Sequence, residues 1–235
     1  MPKKNKLVYI VSDSTLPIYR ELFAKEGWIV TPTMQHADLI QFIDGPDISP
    51  SLYKDVTHPK TVADSTRDQK EKMVFHWCLK HNRPMAGIGR GGNFLNALSG
   101  GKMWQHVVGH HYAGGHLAHS IVTNKTLLVT STHHQEMIPG PSAHILMVAY
   151  VATAKEKVRR HLVADQRMNI SRHFFPRLDK ENPLSKARDI EALWYGKYKT
   201  LCFQPRPECG SETTFPGLRS LYFEYINRFL FARRS

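Results

Sequence analysis

The stretch that most constrains the fold of this chain is residues 84–96, PMAGIGRGGNFLN. A short apolar run meets a Gly-rich corner there, and an amphipathic segment follows directly. This order predicts a β-strand, a sharp turn and a helix, the arrangement in which α/β enzymes often hold a nucleophile. Gly89 occupies the position at which the nucleophile would be expected. The sequence therefore predicts the turn but no side chain at its centre.

The segments before the corner predict a parallel sheet covered by helices. Strands are predicted at 7–12, 28–30 and 37–43. A helix lies between the first two strands, with Pro17 near its start. A helical stripe of apolar residues covers 68–81, with Asp68 and Glu71 in the first turn, where carboxylates complement the helix dipole. The order strand, helix, strand, strand is typical of a largely parallel sheet in an α/β domain.

The segments after the corner predict a short helix, a histidine-rich loop and further strands. The helix covers 91–98 and the loop covers 103–119. The remaining elements are a strand pair at 120–122 and 126–130, a strand pair at 190–195 and 200–203, and a closing helix at 217–231. Because no internal repeat and no linker divides the chain, residues 1–235 are predicted to form a single domain, with a basic tail at 1–6 and a basic excursion at 154–188.

Charge and composition narrow the function classes. The formal net charge is +12, much of it in 1–6, in 155–172 and at Arg233-Arg234. This charge can support contact with nucleic acid, but none of these segments reads as a known nucleic-acid module, so a solvated basic surface is the favoured interpretation. No apolar run approaches the roughly 20 residues of a membrane span, and the start does not resemble a signal peptide. Three scattered cysteines indicate a reducing compartment, and we predict a cytoplasmic protein without membrane contact.

The histidines between 106 and 119 raise the question of a metal site. His106, His110 and His111 would share a face on a helix, but glycines break the regularity and no carboxylate lies among them. Zinc ligands usually come with supporting partners. The sequence accordingly predicts surface or loop histidines here, no metal and no cofactor.

Several blocks of the chain match one protein family in the same order. The corner GIGRGGN at 87–93 is similar to a G-I-C-R-G-x-Q nucleophile elbow, and DGPDISPSLY at 44–53 is similar to a G-G-x-D-v-x-P-x-x-Y segment. The other blocks are RDQKE at 67–71, NALSGG at 96–101, STHHQ at 131–135 and EALW at 191–194. Together they resemble the class I glutamine amidotransferases, and most closely the γ-glutamyl-γ-aminobutyrate hydrolase (peptidase C26) branch. The resemblance implies a three-layer α/β/α sandwich with a mainly parallel, flavodoxin-like central sheet.

The same resemblance implies a cysteine nucleophile at the corner, a histidine base and a glutamate that orients the base. Backbone N–H groups at the corner would stabilise the oxyanion. Carried over by position, the nucleophile falls on Gly89. The base falls on Arg206 with Glu208 retained, or, in a second register, on Gln204 with Arg206 at the glutamate position. Neither register supplies a base, because an arginine stays protonated at any workable pH.

We therefore predict a catalytically degenerate amidotransferase-like protein in which no catalytic set is intact. Its pocket is predicted to bind a small carboxylate, a γ-glutamyl compound or a phosphorylated ligand without turnover, since the corner and the helix N-terminus after it favour anions. The predicted ligand-binding residues are Gly45, Arg90, Gly91, Asn93, His133, His134, Gln135 and Arg206.

Alternatives to this interpretation stay open. Arg206 could pair with Glu208 or another acid and only fill space. A base from 133–135, or Cys202 or Cys209 as a nucleophile, could support an active amide hydrolase or amidotransferase. The basic segments could instead contact nucleic acid. The resemblance also implies a synthetase or ligase as partner, because family members often supply ammonia to such enzymes.

Overall fold

The computed structural model describes residues 5–12, 16–107, 111–149 and 189–232. Strands and helices alternate in the first part, and strands dominate the second. The strands are β1 (Leu7–Val11), β2 (Ile29–Val30), β3 (Leu39–Phe42), β4 (Met85–Ile88), β5 (Lys102–Trp104), β6 (His111–Ser120), β7 (Lys125–Thr132), β8 (Glu136–Ile138), β9 (His144–Ala149), β10 (Asp189–Tyr195) and β11 (Thr200–Phe203). The helices are α1 (Pro17–Ala24), α2 (Ser65–Lys80), α3 (Arg90–Leu98) and α4 (Leu218–Tyr225), the last continuing as a π-helix over Ile226–Phe231.

Within the described residues, nine strands form a central sheet in the order β2-β1-β3-β4-β11-β10-β9-β6-β7. Neighbouring strands from β2 to β11 are parallel, and those from β11 to β7 are antiparallel. A second, two-stranded sheet pairs β5 with β8. The corner belongs to the parallel half, because β4 lies between β3 and β11. Since parallel strands end at one edge of a sheet, the loops after β3, β4 and β11 meet beside the corner.

Two apolar clusters lie on opposite faces of the sheet. Leu201 and Phe203 belong to one cluster and Cys202 to the other, as expected where successive side chains of a strand point to opposite faces. Helices α1 and α4 contribute to the first cluster, and α2 and α3 contribute to the second. This mixed sheet with helices on both faces confirms the predicted three-layer α/β/α fold.

Most predicted elements are confirmed, with shifts at their ends. Strands β10 and β11 form the predicted pair, in antiparallel register. Helix α2 begins at Ser65, earlier than predicted, because the Asp64 side chain accepts the Arg67 N–H at 3.0 Å as an N-cap. The predicted closing helix is confirmed by α4, although its last turns are π-helical.

The prediction of a loop over 103–119 is wrong at both ends. Its first residues lie in β5, and its last residues lie in β6, which extends to Ser120. Strand β6 pairs with β7 on one side and β9 on the other, so backbone hydrogen bonds stabilise a segment whose glycines and histidines predict no strand. A register shift falls between Tyr112 and His116, at the Gly114-Gly115 pair.

Several predictions fall outside the described residues. These are the cap at 13–15, residues 1–4 of the basic tail, His110, the basic excursion at 154–188 and Arg233-Arg234. Among the described residues, no helix combines the length and the apolar character needed to cross a membrane. The single domain and the cytoplasmic location stay predictions.

Candidate functional site

The corner between β4 and α3 has the strained geometry of a nucleophile elbow. Gly89 has φ 54° and ψ −120°, a region that residues with side chains rarely adopt. Its N–H donates to the Phe203 carbonyl oxygen at 2.8 Å, which fixes the turn to β11. Gly91 has equally little room, because a Cβ there would lie 2.6 Å from the carbonyl atoms of Phe42. The predicted strand, turn and helix are confirmed.

The carboxylate of Asp44, from the loop after β3, fills the space at the corner. A Cβ on Gly89 would lie 2.3 Å from Asp44 Oδ1. The same Oδ1 accepts the backbone N–H of Arg90 at 2.9 Å. Asp44 therefore takes both the volume beside Gly89 and a backbone donor that a bound oxyanion would use. This position carries glycine in the family segment that 44–53 resembles, and the sequence interpretation did not single out Asp44.

Arg206 bridges Asp44 and Glu208. Its Nη2 lies 2.9 Å from Asp44 Oδ2, and its Nε donates to Glu208 Oε1 at 3.2 Å. Tyr19 closes the ring, because its hydroxyl donates to Glu208 Oε1 at 2.9 Å and accepts the Asp44 N–H at 3.2 Å. The arginine charge is thus paired within the protein.

The ionisation of this ring follows from its burial and its charges. Burial raises the pKa of the Glu208 carboxyl, and the opposing effect of Arg206 does not cancel the rise. Burial alone would lower the pKa of Arg206. The carboxylates of Asp44 and Glu208 have the larger opposite effect and raise the arginine pKa above its ordinary value. Arg206 is therefore a permanent cation here and cannot act as a base.

A pocket of about 270 Å³ opens beside the corner. Its lining residues are Asp44, Gly45, Pro46, Asp47, Val62, Arg90, Asn93, Thr132, His133, His134, Gln135 and Gln204. The structure thus brings together Gly45, Arg90, Asn93 and the 133–135 segment from the predicted ligand-binding set. The other two predicted residues lie beside it: Gly91 packs on β3, and Arg206 contacts Asp44.

Three side-chain amides in the pocket lining are buried and retain unused hydrogen-bonding atoms. Asn93, Gln135 and Gln204 are 4%, 2% and 2% exposed. Within the described part of the chain, Asn93 Oδ1, Gln204 Oε1 and both amide atoms of Gln135 have no hydrogen-bond partner. An unsatisfied buried polar atom costs about 1–3 kcal/mol, so these amides are expected to bind water or a ligand.

The Arg90 side chain contributes little free positive charge to the pocket. Its guanidinium pairs with the buried carboxylates of Asp68 and Glu71, both on α2. Arg67 adds to this group, donating to Glu71 Oε1 at 2.7 Å and to the carbonyl oxygen of Ile43 at 2.9 Å. Asp68 and Glu71, which the sequence analysis placed in the first turn of a helix as complements to its dipole, are therefore the counter-ions of Arg90.

His134 is expected to give the stability a measurable pH dependence. Its pKa is raised above the ordinary 6.5, first because Asp47 Oδ1 lies 2.9 Å from its Nε2. A histidine whose pKa is raised by folding stabilises the fold fully below its unfolded pKa, and the contribution is lost as the pH rises through its folded pKa. Between about pH 6 and pH 8, wild type should lose unfolding free energy that His134→Gln does not lose.

Urea unfolding across this pH range measures the effect of His134. The exposed His36 supplies a matched control, and His36→Gln should follow wild type. Parallel curves for wild type and His134→Gln would contradict the prediction.

The cysteines weigh against a relocated thiolate nucleophile. Burial raises the pKa of the Cys202 thiol well above its ordinary value. The Cys209 pKa is also raised, by burial and then by the nearby Glu208 carboxylate. Both thiols are therefore protonated at neutral pH, the less reactive form.

The buried His116 and Glu191 and the half-buried His133 form a group at the edge of the pocket. One ligand atom from each of them lies within 4.8 Å of the other two. Glu191 comes from β10, far along the chain from His116 on β6, so no local spacing could have indicated this group. The sequence interpretation weighed other histidines of 106–119 and predicted no metal.

Comparison with known proteins identifies one matching family and one curated relative. The Peptidase C26 family model matches residues 22–158. Protein NtpR of Enterococcus hirae is 31% identical over 111 residues, which are 47% of this chain and 45% of NtpR. The chain thus matches less than half the length of this curated relative.

Solved structures match nearly the whole chain at low identity. A putative GMP synthase subunit from Thermoplasma acidophilum has a TM-score of 0.60 at 13% identity, covering 96% of this chain and 94% of that one. PurLQS from Thermotoga maritima has a TM-score of 0.58 at 10% identity, covering 97% and 100%. A glutamine amidotransferase from Thermotoga maritima has a TM-score of 0.53 at 13% identity, covering 97% and 86%. At these identities the likeness shows the fold.

Proposed function

The chain belongs to the peptidase C26 family, and we propose that it uses this amidotransferase-like fold to bind a γ-glutamyl compound without cysteine-dependent hydrolysis. The observation that carries the proposal is the Asp44 carboxylate beside Gly89. It occupies the nucleophile's space and accepts the Arg90 N–H at 2.9 Å. A substrate carbonyl would find neither an attacking atom nor a free donor there.

The charges around the pocket favour a γ-glutamyl compound over a phosphorylated ligand. Arg90 and Arg206 are each paired with two carboxylates, so neither offers the free cation that phosphate recognition uses. Asp44 and Asp47 line the pocket and are paired with Arg206 and His134. Each carboxylate oxygen can accept a further hydrogen bond, so these groups repel a phosphate and accept an ammonium group. A γ-glutamyl compound carries such an ammonium group.

The buried amides supply the complementary part of the recognition. Asn93, Gln135 and Gln204 offer both carbonyl oxygens and N–H donors, which match an amide or a carboxylate of the ligand. The volume of about 270 Å³ suits a ligand of modest size. Substrate-like binding beside an inactive corner is the function that this geometry supports best.

Isothermal titration calorimetry tests the proposal. The full chain should bind a γ-glutamyl amide more tightly than glutamate and much more tightly than inorganic phosphate. Gln204→Leu should weaken that binding by about tenfold, because it leaves a ligand polar atom unpaired. The exposed Gln69 on α2 supplies the matched control, and Gln69→Leu should bind like wild type.

The same samples distinguish the alternatives. No ammonia or glutamate should be released from glutamine or the γ-glutamyl amide, and steady release would establish the active hydrolase instead. An amide-forming enzyme as partner is the second candidate, favoured by the likeness of the fold to the putative GMP synthase subunit. Heat from none of the small ligands, together with a stable complex with such an enzyme, would select that candidate.

A further inference from the structure

We propose that His116, His133 and Glu191 bind a zinc-type divalent metal ion at the edge of the pocket. Nε2 of His116 lies 2.7 Å from Glu191 Oε1, a hydrogen bond whose proton a metal ion would displace, and Nε2 of His133 lies 3.9 Å from the same oxygen. Ligand atoms around a tetrahedral zinc, each about 2.0–2.2 Å from the ion, stand roughly 3.3–3.6 Å apart. The observed separations bracket this range, so small side-chain rotations would complete the site.

The hydrogen bond made by His133 fixes which ring nitrogen faces the group. Its Nδ1 lies 3.0 Å from the Gln135 carbonyl oxygen. A carbonyl oxygen only accepts, so Nδ1 carries the hydrogen, and Nε2 is the ring nitrogen that lies towards Glu191. Metal-ligating histidines characteristically donate their other ring N–H to a carbonyl or carboxylate in this way.

Burial adds a reason for a cation between these groups. His116 is 4% exposed and Glu191 is 0% exposed. A divalent ion between these groups would be bound by the carboxylate and both imidazoles away from competing water. Because His133 also lines the pocket, an ion held here could enter from the pocket side and keep a coordination position open to it.

The donor set selects the class of ion. Two imidazole nitrogens and one carboxylate suit Zn²⁺ and its neighbours in the first transition row. Mg²⁺ prefers oxygen ligands and keeps several waters, so this group should bind it weakly. The proposal is independent of whether the pocket binds a γ-glutamyl compound.

Metal titration of the full chain, without an affinity tag and after treatment with a chelator, tests the proposal. Wild type should bind one equivalent of Zn²⁺ by calorimetry, and Co²⁺ should give the visible absorption of a tetrahedral nitrogen and oxygen site. His116→Ala and Glu191→Gln should weaken Zn²⁺ binding by at least about tenfold. His119 lies on the same strand, bonded to Thr126, and His119→Ala should bind like wild type.

The binding measurements on wild type can overturn the proposal by themselves, so the test does not depend on whether the variants fold. Absence of stoichiometric Zn²⁺ binding, or equally tight binding of Mg²⁺, would refute it. Zn²⁺ binding that His116→Ala and Glu191→Gln both leave unchanged would assign the ion to other histidines. A cooperative unfolding transition shows that a variant folds. Zn²⁺ should raise the unfolding midpoint of wild type and His119→Ala more than that of Glu191→Gln.

Discussion

Arg90→Met should lower the free energy of unfolding by about 3–5 kcal/mol, because it leaves two buried carboxylates without their shared cation. Asp68 and Glu71 are each 2% exposed, and both pair with the Arg90 guanidinium. Asp68 retains the Ser49 N–H, and Glu71 retains Arg67. Among the described residues, Arg67 then remains as the one cation beside two buried carboxylates, so the loss should lie well above that of a surface substitution.

Urea unfolding of a small series isolates the charge effect of Arg90. Arg20 is exposed on α1, and Arg20→Met should change the unfolding free energy by no more than about 0.5 kcal/mol. The combination Arg90→Met, Asp68→Asn and Glu71→Gln removes Arg90 together with the two carboxylates that it pairs with, and it should lose less stability than Arg90→Met alone. A loss below about 1 kcal/mol for Arg90→Met would contradict this interpretation of the group.

The fold and the corner could be predicted because their signals are local. A short apolar run, closely spaced glycines and an amphipathic segment specify a strand, a turn and a helix within 84–96. The loops carrying Gly45 and His133 meet at the pocket because β3 and β7 run in the same direction and end at the same edge of the sheet. The order of the motifs along the chain was therefore enough to predict most of the residues that line the pocket.

The parts that could not be predicted depend on approaches between distant segments. Whether Asp44 turns into the corner depends on how closely the end of β3 approaches α3, and Gly91 permits that approach. The pairing of His116 with Glu191 requires β6 and β10 to flank β9 in one sheet. Strand β6 forms although its residues have a low strand propensity, because β7 and β9 supply backbone hydrogen bonds on both sides.

Gly89→Ala should be the second strongly destabilising change, at about 3–5 kcal/mol. The backbone contributes part of this loss, since φ 54° and ψ −120° strain a residue with a side chain. The rest comes from Asp44, whose Oδ1 and Cγ would lie 2.3 and 2.9 Å from the new Cβ. Asp44 could move away only by giving up the Arg90 N–H and the Arg206 pair.

Gly100→Ala separates backbone strain from the contact with Asp44. Gly100 has φ 95°, and a Cβ there would meet no atom within 4 Å, so its loss should reflect strain alone, about 1–2 kcal/mol. A double-mutant cycle with Asp44→Gly should show about 1–3 kcal/mol of coupling between positions 44 and 89.

Equal losses for Gly89→Ala and Gly100→Ala, with no coupling to position 44, would mean that Asp44 moves aside freely. The corner would then be open to a ligand. The position of the Asp44 carboxylate beside Gly89 would no longer support the proposal of binding without turnover. If the coupling is found, the glycine at position 89 and the aspartate at position 44 depend on each other. A cysteine at 89 would then need a small residue at 44, the combination that the family segments carry and this chain lacks at both positions.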